Sequence, residues 1–263
     1  MSAGLSEDFD PALLARVEDA GLNACAPREQ RWLDGWLLRL SPAKAKRGRS
    51  INALAEGHLP LDTRLVLARE AFAAAGLPMI VRITPFTRPA TLAADLQDRG
   101  FRRFDDTRVM VRPALETLPA PAALPHGCEM RRADPGAFAD LLGAWRGSSK
   151  GQRAAHAQRL AHSPVSCEPW VLYRGTEPVA AGQATQEADL VGLYDVFTPP
   201  AHRAQGWAGR LCAALLARAR QSGATTAYLQ VDAENTPART LYHRLGFRDA
   251  YAYHYLTDDP EAH

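Results

Sequence analysis

Residues 203–209 read RAQGWAG, between an apolar run, LVGLYDVF (190–197), and a helical pattern, AGRLCAALLARAR (208–220). A strand, a turn of small residues and a helix start together form a cradle for an anion. The first helical turn leaves N–H groups without intrahelical acceptors, and the helix dipole favours negative charge there. Gly206 and Ala208 allow the backbone to come close to such a ligand. The phosphate loop of nucleotide hydrolases is excluded, since no Lys follows Gly206 or Gly209. A helix start that needs small residues for tight packing is the alternative reading of the same stretch.

The chain around this stretch has 263 residues, 46% apolar and 23% charged, as in a soluble globular protein. Its 31 basic and 29 acidic residues nearly cancel, so no nucleic-acid surface is expected. Cys25, Cys128, Cys167 and Cys212 form no C-x-x-C pair. Neither a metal centre nor a disulfide framework is predicted, and a reducing cytoplasm fits. No apolar run is long enough to span a bilayer, and the start, MSAGLSEDFD, is acidic, unlike a signal peptide.

Residues 113–125, PALETLPAPAALP, hold four prolines and read as a linker. The segments on either side are alike. Gly100-Phe101-Arg102 recurs 146 positions later as Gly246-Phe247-Arg248, and Arg64-Leu65 recurs as Arg210-Leu211. Both latter pairs open helical patterns ending at a glycine, Gly76 and Gly223, and strand-like runs follow, MIVRI (79–83) and TAYLQV (226–231). The chain is therefore read as two copies of one α/β unit: residues 1–113, a linker at 114–126, and residues 127–263. At the same offset Arg203, Gly206 and Ala208 fall on Gly57, Pro60 and Asp62. Pro60 has no N–H to offer and Asp62 repels an anion, so the first copy is expected to be silent. Its parts are read as a strand, WLDGWLLRL (32–40), a loop, SPAKAKRGRS (41–50), and a helix at 63–75.

The spacing Arg203-x-x-Gly206-x-Ala208 resembles the acetyl-CoA pyrophosphate loop of the GNAT superfamily of N-acetyltransferases. The stretch Asn235-x-x-Ala238-x-x-Leu241-Tyr242-x-x-x-Gly246-Phe247 resembles that superfamily's closing signature. The resemblance implies an α/β (α+β) protein of two tandem GNAT-like units, the first degenerate. Each unit is then a mixed, mostly antiparallel twisted sheet flanked by helices, with the cofactor in a gap where two neighbouring strands splay. It implies acetyl-CoA as co-substrate, no metal, and a small-molecule or peptide amine as acceptor, with no nucleic acid and no membrane. A non-catalytic acyl-CoA-binding or interaction module is the alternative.

The resemblance also implies roles. Unpaired backbone groups of Val196, Phe197 and Thr198 would pair with the pantetheine arm, and a backbone N–H there would stabilise an oxyanion. Arg203, Ala204, Gln205, Gly206, Trp207, Ala208 and Gly209 would hold the pyrophosphate. Asn235 matches the cofactor-contacting Asn, and Tyr242 matches the general acid that protonates the CoA thiolate. The base is open. Asp195, in an apolar strand, is either a base or the partner of an Arg, with Tyr194 on the opposite sheet face. Glu187 and Asp189 are lesser candidates, and a water can serve instead.

Other features have plainer readings. His202 and His243 read as solvated surface residues, and His254 as packed, facing away from Tyr253 and Tyr255. Trp207 reads as a core contact. Lys44, Lys46, Arg47 and Arg49 read as a solvated loop, or else as an attractor for an acidic substrate. Residues 146–163 occupy the place of the family's variable helical lid.

Overall fold

Asp-Pro, Ser-x-x-Gln and Asn-x-Pro starts punctuate the helices of this chain, and glycines in the left-handed region close several of them. A computed structural model describes residues 4–260. The outermost residues, 1–3 and 261–263, which include the outer bounds of both expected domains and the first letters of the acidic start, lie outside the described residues.

The first half runs α1 (Pro11–Ala24), β1 (Gln30–Leu33), β2 (Trp36–Arg39), β3 (Ile51–Ala53), α2 (Leu61–Ala74), β4 (Val81–Ile83), α3 (Leu92–Gln97) and β5 (Arg102–Arg112). The second runs β6 (Cys128–Arg132), α4 (Pro135–Arg146), α5 (Lys150–Ala161), β7 (Ser166–Arg174), β8 (Glu177–Glu187), β9 (Leu190–Phe197), α6 (Trp207–Gln221), β10 (Thr226–Asp232), α7 (Thr236–Arg244) and β11 (Arg248–Thr257). The series β1-β2-β3-α2-β4-α3-β5 thus returns as β7-β8-β9-α6-β10-α7-β11. The matching helix ends are built alike. Phe101 N bonds Leu96 O and Phe247 N bonds Tyr242 O, each across a positive-φ glycine.

One reading of the first half is corrected. WLDGWLLRL is two strands, not one: Asp34 (φ 43°) and Gly35 (φ 82°) make a tight turn between β1 and β2. Asp-Gly between apolar runs is a hairpin signal, because both turn positions require positive φ.

All the described strands join one eleven-stranded sheet, β1-β2-β3-β4-β11-β5-β10-β9-β8-β7-β6. Its parallel pairs are β3 with β4 and β9 with β10; the other pairs are antiparallel. The halves exchange strands at the centre. β11 lies between β4 and β5 of the first half, and β5 lies between β11 and β10 of the second. The order is thereby two-fold about the β5–β11 pair.

Helices cover both faces. Leu211, Leu215 and Leu216 of α6 pack with Leu193, Leu229 and Phe247, and Leu65 and Phe72 of α2 pack with Ile51, Val81 and Phe101. On the other face, Leu14 and Val17 of α1 meet Tyr194, Tyr228, Tyr251 and Tyr253. Arg82 and Glu18 form a buried ion pair there, completed by the Tyr251 hydroxyl at 2.7 Å from Glu18. The proline-rich connection is held against the second half, with Leu115 and Leu118 in its core and Arg220 donating to Leu118 O at 2.8 Å.

Candidate active site

The start of α6 is open. Gly206, its N-cap, sits in the left-handed region (φ 78°), as does Ala204 (φ 60°), and no side chain caps the helix. Arg210 N is the first to find a helical acceptor, Gly206 O at 3.1 Å. The N–H groups of Trp207, Ala208 and Gly209 therefore point out of the helix end. Trp207 anchors the turn, buried in the core with its indole N–H on Gln205 Oε1 at 3.1 Å. Arg203 donates to Thr198 O at 3.3 Å and lies over the Phe197 ring.

The matching loop of the first half is filled. Asp34 accepts from His58 N at 2.9 Å and from Leu59 N at 2.8 Å, just ahead of Pro60 and α2. These two N–H groups hold the Asp34 carboxyl below the usual carboxylate range. A Cβ at Gly57 would collide with Asp34, so the loop closes tightly around its own carboxylate. Asp62, in the first turn of α2, pairs with Arg99 at 2.6 Å.

Beside the open helix end, β9 leaves β10. Their parallel pairing runs from Leu190–Thr226 to Leu193–Leu229 and stops. On the β8 side the ladder continues past a bulge, from Tyr194–Gln183 to Phe197–Ala181. The residues facing β10 after Leu193 have no ladder partner, and the hydroxyl of Thr198 is buried without a hydrogen bond. A gap between two strands with unpaired backbone on one side fits an extended, amide-bearing arm. The open α6 start fits a pyrophosphate.

The bulge decides where Asp195 goes. Asp195 adopts φ 55°, the left-handed region that Asp tolerates better than most residues. The expected opposition of Asp195 and Tyr194 is thus corrected, because both line one cavity of about 160 Å³. Asp195 accepts from Arg146 Nη1 at 2.8 Å and from Gln183 Nε2 at 3.1 Å. His156 Nε2 and Arg159 Nη2 lie 3.0 and 3.5 Å from it. Burial pushes its carboxyl up, but His156, Arg146 and Arg159 outweigh burial and hold it well below the usual range. Of the two readings of Asp195, the geometry realises the Arg partner.

Tyr242, on α7, is 8% exposed and edge-on to Phe247. Burial beside Cys212 pushes its hydroxyl pKa up, and the Arg146 charge partly opposes this. Asn235 caps α7, its Oδ1 accepting from Ala238 N at 3.2 Å.

Several cavity residues escape sequence reading. Arg153, His156 and Arg159 lie three apart on α5, a spacing that sets them on one helix face. Gln183 has no sequence sign. Arg47 is not solvated: it donates to the Tyr253 hydroxyl at 3.0 Å and lies over the Tyr194 ring. Lys46 pairs with Asp105 at 2.6 Å. His202 is also buried, 3.2 Å from Glu177, while His243 stays exposed. Glu187 and Asp189 are used up by α1, through Asn23 and Arg16. His254 does face away from Tyr253 and Tyr255, beside Ile83 and Arg103.

Residues 137–247 match the model of the acetyltransferase (GNAT) family, and this span contains β9, the α6 turn and α7. The segment that carries the candidate site is thus similar to the GNAT acetyltransferase family. The mycothiol acetyltransferase of Streptomyces scabiei (strain 87.22) is 30% identical over 169 residues, covering 56% of this chain and 52% of that protein. The chain thus matches about half the length of this curated relative. A GCN5-related N-acetyltransferase from Kribbella flavida has the same fold at a TM-score of 0.67 and 20% identity, over 94% of this chain and 95% of the other. A tandem GNAT protein from the clavulanic acid biosynthesis pathway superposes at a TM-score of 0.59 with 10% identity, covering 74% and 68% of the two chains. These two likenesses concern the fold, a GNAT α+β architecture with one long mixed sheet. No helix among the described residues is long and apolar enough to cross a membrane.

Proposed function

We propose that the chain transfers the acetyl group of acetyl-CoA to a primary amine, with one active site, in residues 127–263, and a silent unit in residues 1–113. The observation that carries this reading is the contrast between the two matching loops. The α6 start presents free N–H groups beside a strand gap, whereas its counterpart has closed on Asp34.

When bound, acetyl-CoA supplies a thioester carbonyl open to attack by a neutral amine, with a thiolate as leaving group. Trp207, Ala208 and Gly209 N–H groups, with Arg203, Ala204, Gln205 and Gly206 shaping the turn, hold the pyrophosphate. The free edge at Val196, Phe197 and Thr198 aligns the pantetheine arm, and a backbone N–H of this edge faces the developing oxyanion. Asn235, its carbonyl spent on capping, offers its amide NH₂ to the cofactor. Tyr242 is kept protonated by burial, so its hydroxyl delivers a proton to the departing sulfur and regains one from solvent. Asp195, locked among cations, shapes the cavity; the amine's proton leaves through water.

Titration calorimetry with acetyl-CoA, followed by a screen for free CoA across an amine panel, tests this. One bound acetyl-CoA per chain and CoA release with at least one amine are expected. No binding overturns the proposal, and binding without release over the panel replaces it with a non-catalytic acyl-CoA-binding module.

A further inference from the structure

The cavity beside Asp195 holds more positive charge than its carboxylate balances. Asp195 is already matched by Arg146, Arg159 and His156. Lys44, Arg47 and Arg153 line the same cavity. Among the described residues none of these three has a carboxylate in ion-pair reach. Lys44 Nζ reaches only the Arg146 carbonyl at 3.5 Å. Arg47 bonds the Tyr253 hydroxyl at 3.0 Å and Cys25 Sγ at 3.5 Å. Arg153 Nε donates to Ser148 O at 3.0 Å. An adjoining cavity shares Lys44 and Arg47 and adds Arg49, together with Lys46 and Asp105, which pair with each other.

Cations of one sign gathered in a concave site repel one another and draw in an anion. They also come from both halves, Lys44 and Arg47 from the loop after β2 and Arg153 from α5. The path of Arg153 is itself cleared: a Cβ at Gly143 of α4 would collide with its side chain. Gly143 therefore leaves room for the stem of Arg153 to cross α4.

We propose that the acceptor is a primary amine bearing a carboxylate, an amino acid or short peptide, whose carboxylate is held by Arg47 and Arg153. This rests on the acetyltransferase reading and narrows it. The guanidinium fork suits a carboxylate, with two parallel N–H···O bonds. A polyamine or aminoglycoside instead brings further positive charge against three unbalanced cations. The silent half thereby supplies one side of the acceptor site.

Two measurements on the full chain test the proposal. Binding of a panel of N-acetyl-L-amino acids and their carboxamides is read by thermal shift and calorimetry, which requires no turnover. At least one carboxylate should bind tenfold more tightly than its amide. Arg153→Gln should bring that ratio near one, and Arg153→Glu should invert it. Arg47→Gln should act alike; because Arg47 also anchors Tyr253, Arg153 and Lys44→Gln carry the test if that variant misfolds. Equal binding of acids and amides, or tighter binding of phosphoethanolamine than of any carboxylate, overturns the proposal. The second measurement is CoA release with amino acids, their amides, spermidine and an aminoglycoside. Release with the polycations alone overturns the carboxylate proposal and leaves the acetyltransferase reading standing. Absence of acetyl-CoA binding overturns that reading, and the carboxylate-to-amide binding ratio still decides the ligand class.

Discussion

Arg146 Nη1 donates a 2.8 Å hydrogen bond to Asp195 Oδ1, tying the last turn of α4 to the bulge of β9. The charge of Arg146 also acts on Tyr242, opposing the rise that burial gives its hydroxyl pKa. Asp195→Ala leaves two guanidinium groups facing each other. It should lower stability by about 2–3 kcal/mol at pH 7, the lower side for a buried pair because the carboxylate keeps some solvent contact. The Asp195 pKa is depressed in the folded chain, so its contribution is complete above the unfolded value, about 3.9, and fades as pH falls below it. Denaturant melts of both proteins at pH 7 and pH 3 should show the gap shrinking in acid; a wider gap at pH 3 contradicts the ion-paired arrangement.

Tyr242→Phe removes a hydroxyl without emptying the core beside Phe247. Acetyl-CoA affinity should stay within about twofold, while turnover drops about a hundredfold, the usual scale for a lost general acid. Unchanged turnover removes Tyr242 from that role.

At Gly206 the constraint is backbone conformation, since a Cβ there meets nothing within 4 Å while φ is 78°. Gly206→Val should cost about 1–2 kcal/mol through left-handed strain. It should weaken acetyl-CoA about tenfold by turning the free N–H groups. Calorimetry reads the second effect, and affinity equal to wild type shows that the turn does not carry the pyrophosphate.

Asp34→Ala reopens the closed loop. The N–H groups of His58 and Leu59 lose their acceptor, so the melting temperature should fall. The stoichiometry of acetyl-CoA should nevertheless stay at one, because Pro60 still lacks an N–H and Asp62 still repels phosphate. A second equivalent of acetyl-CoA in this variant would show that Asp34 alone silences the first half.

His254 gives a pH signature. Burial, with the nearby Arg103 charge, lowers its pKa to about 4 from an ordinary 6.5. The folded chain holds the neutral ring, so the unfolded chain binds more protons between these values. Stability is complete above about 6.5 and declines as pH falls toward 4. His254→Leu should flatten the melting-temperature profile across that window; an unchanged slope assigns the acid sensitivity elsewhere.

Much of this was legible locally. The expected helix at 208–220 is α6 at 207–221, and the strand at 189–197 is β9 at 190–197, because caps, glycines and apolar spacing act within a few residues. The Asp-Gly turn at 34–35 was equally legible, and reading through it merged two strands. Contacts between distant segments were not. Nothing near Arg47 says that Tyr253 waits 206 positions away, and nothing near His202 announces Glu177. The left-handed Asp195 defeats strict alternation, since one inserted residue resets which face each neighbour takes. The exchange of β5 and β11 is also invisible, because pairing partners are chosen by the assembled sheet.

That exchange bears on how the protein is made. Its arrangement is that of a swapped dimer written as a single polypeptide. On a ribosome β11 emerges after the other ten described strands, and until it does β4 and β5 border an empty slot with unpaired edges, the kind of surface that recruits other chains. The first half therefore waits, unfinished, for β11. Scission within 113–125 should not release two soluble domains, while the two fragments expressed together should reassemble. Loss of β11, the last strand of the second repeat, would be felt first in the first repeat, whose β4 and β5 it joins.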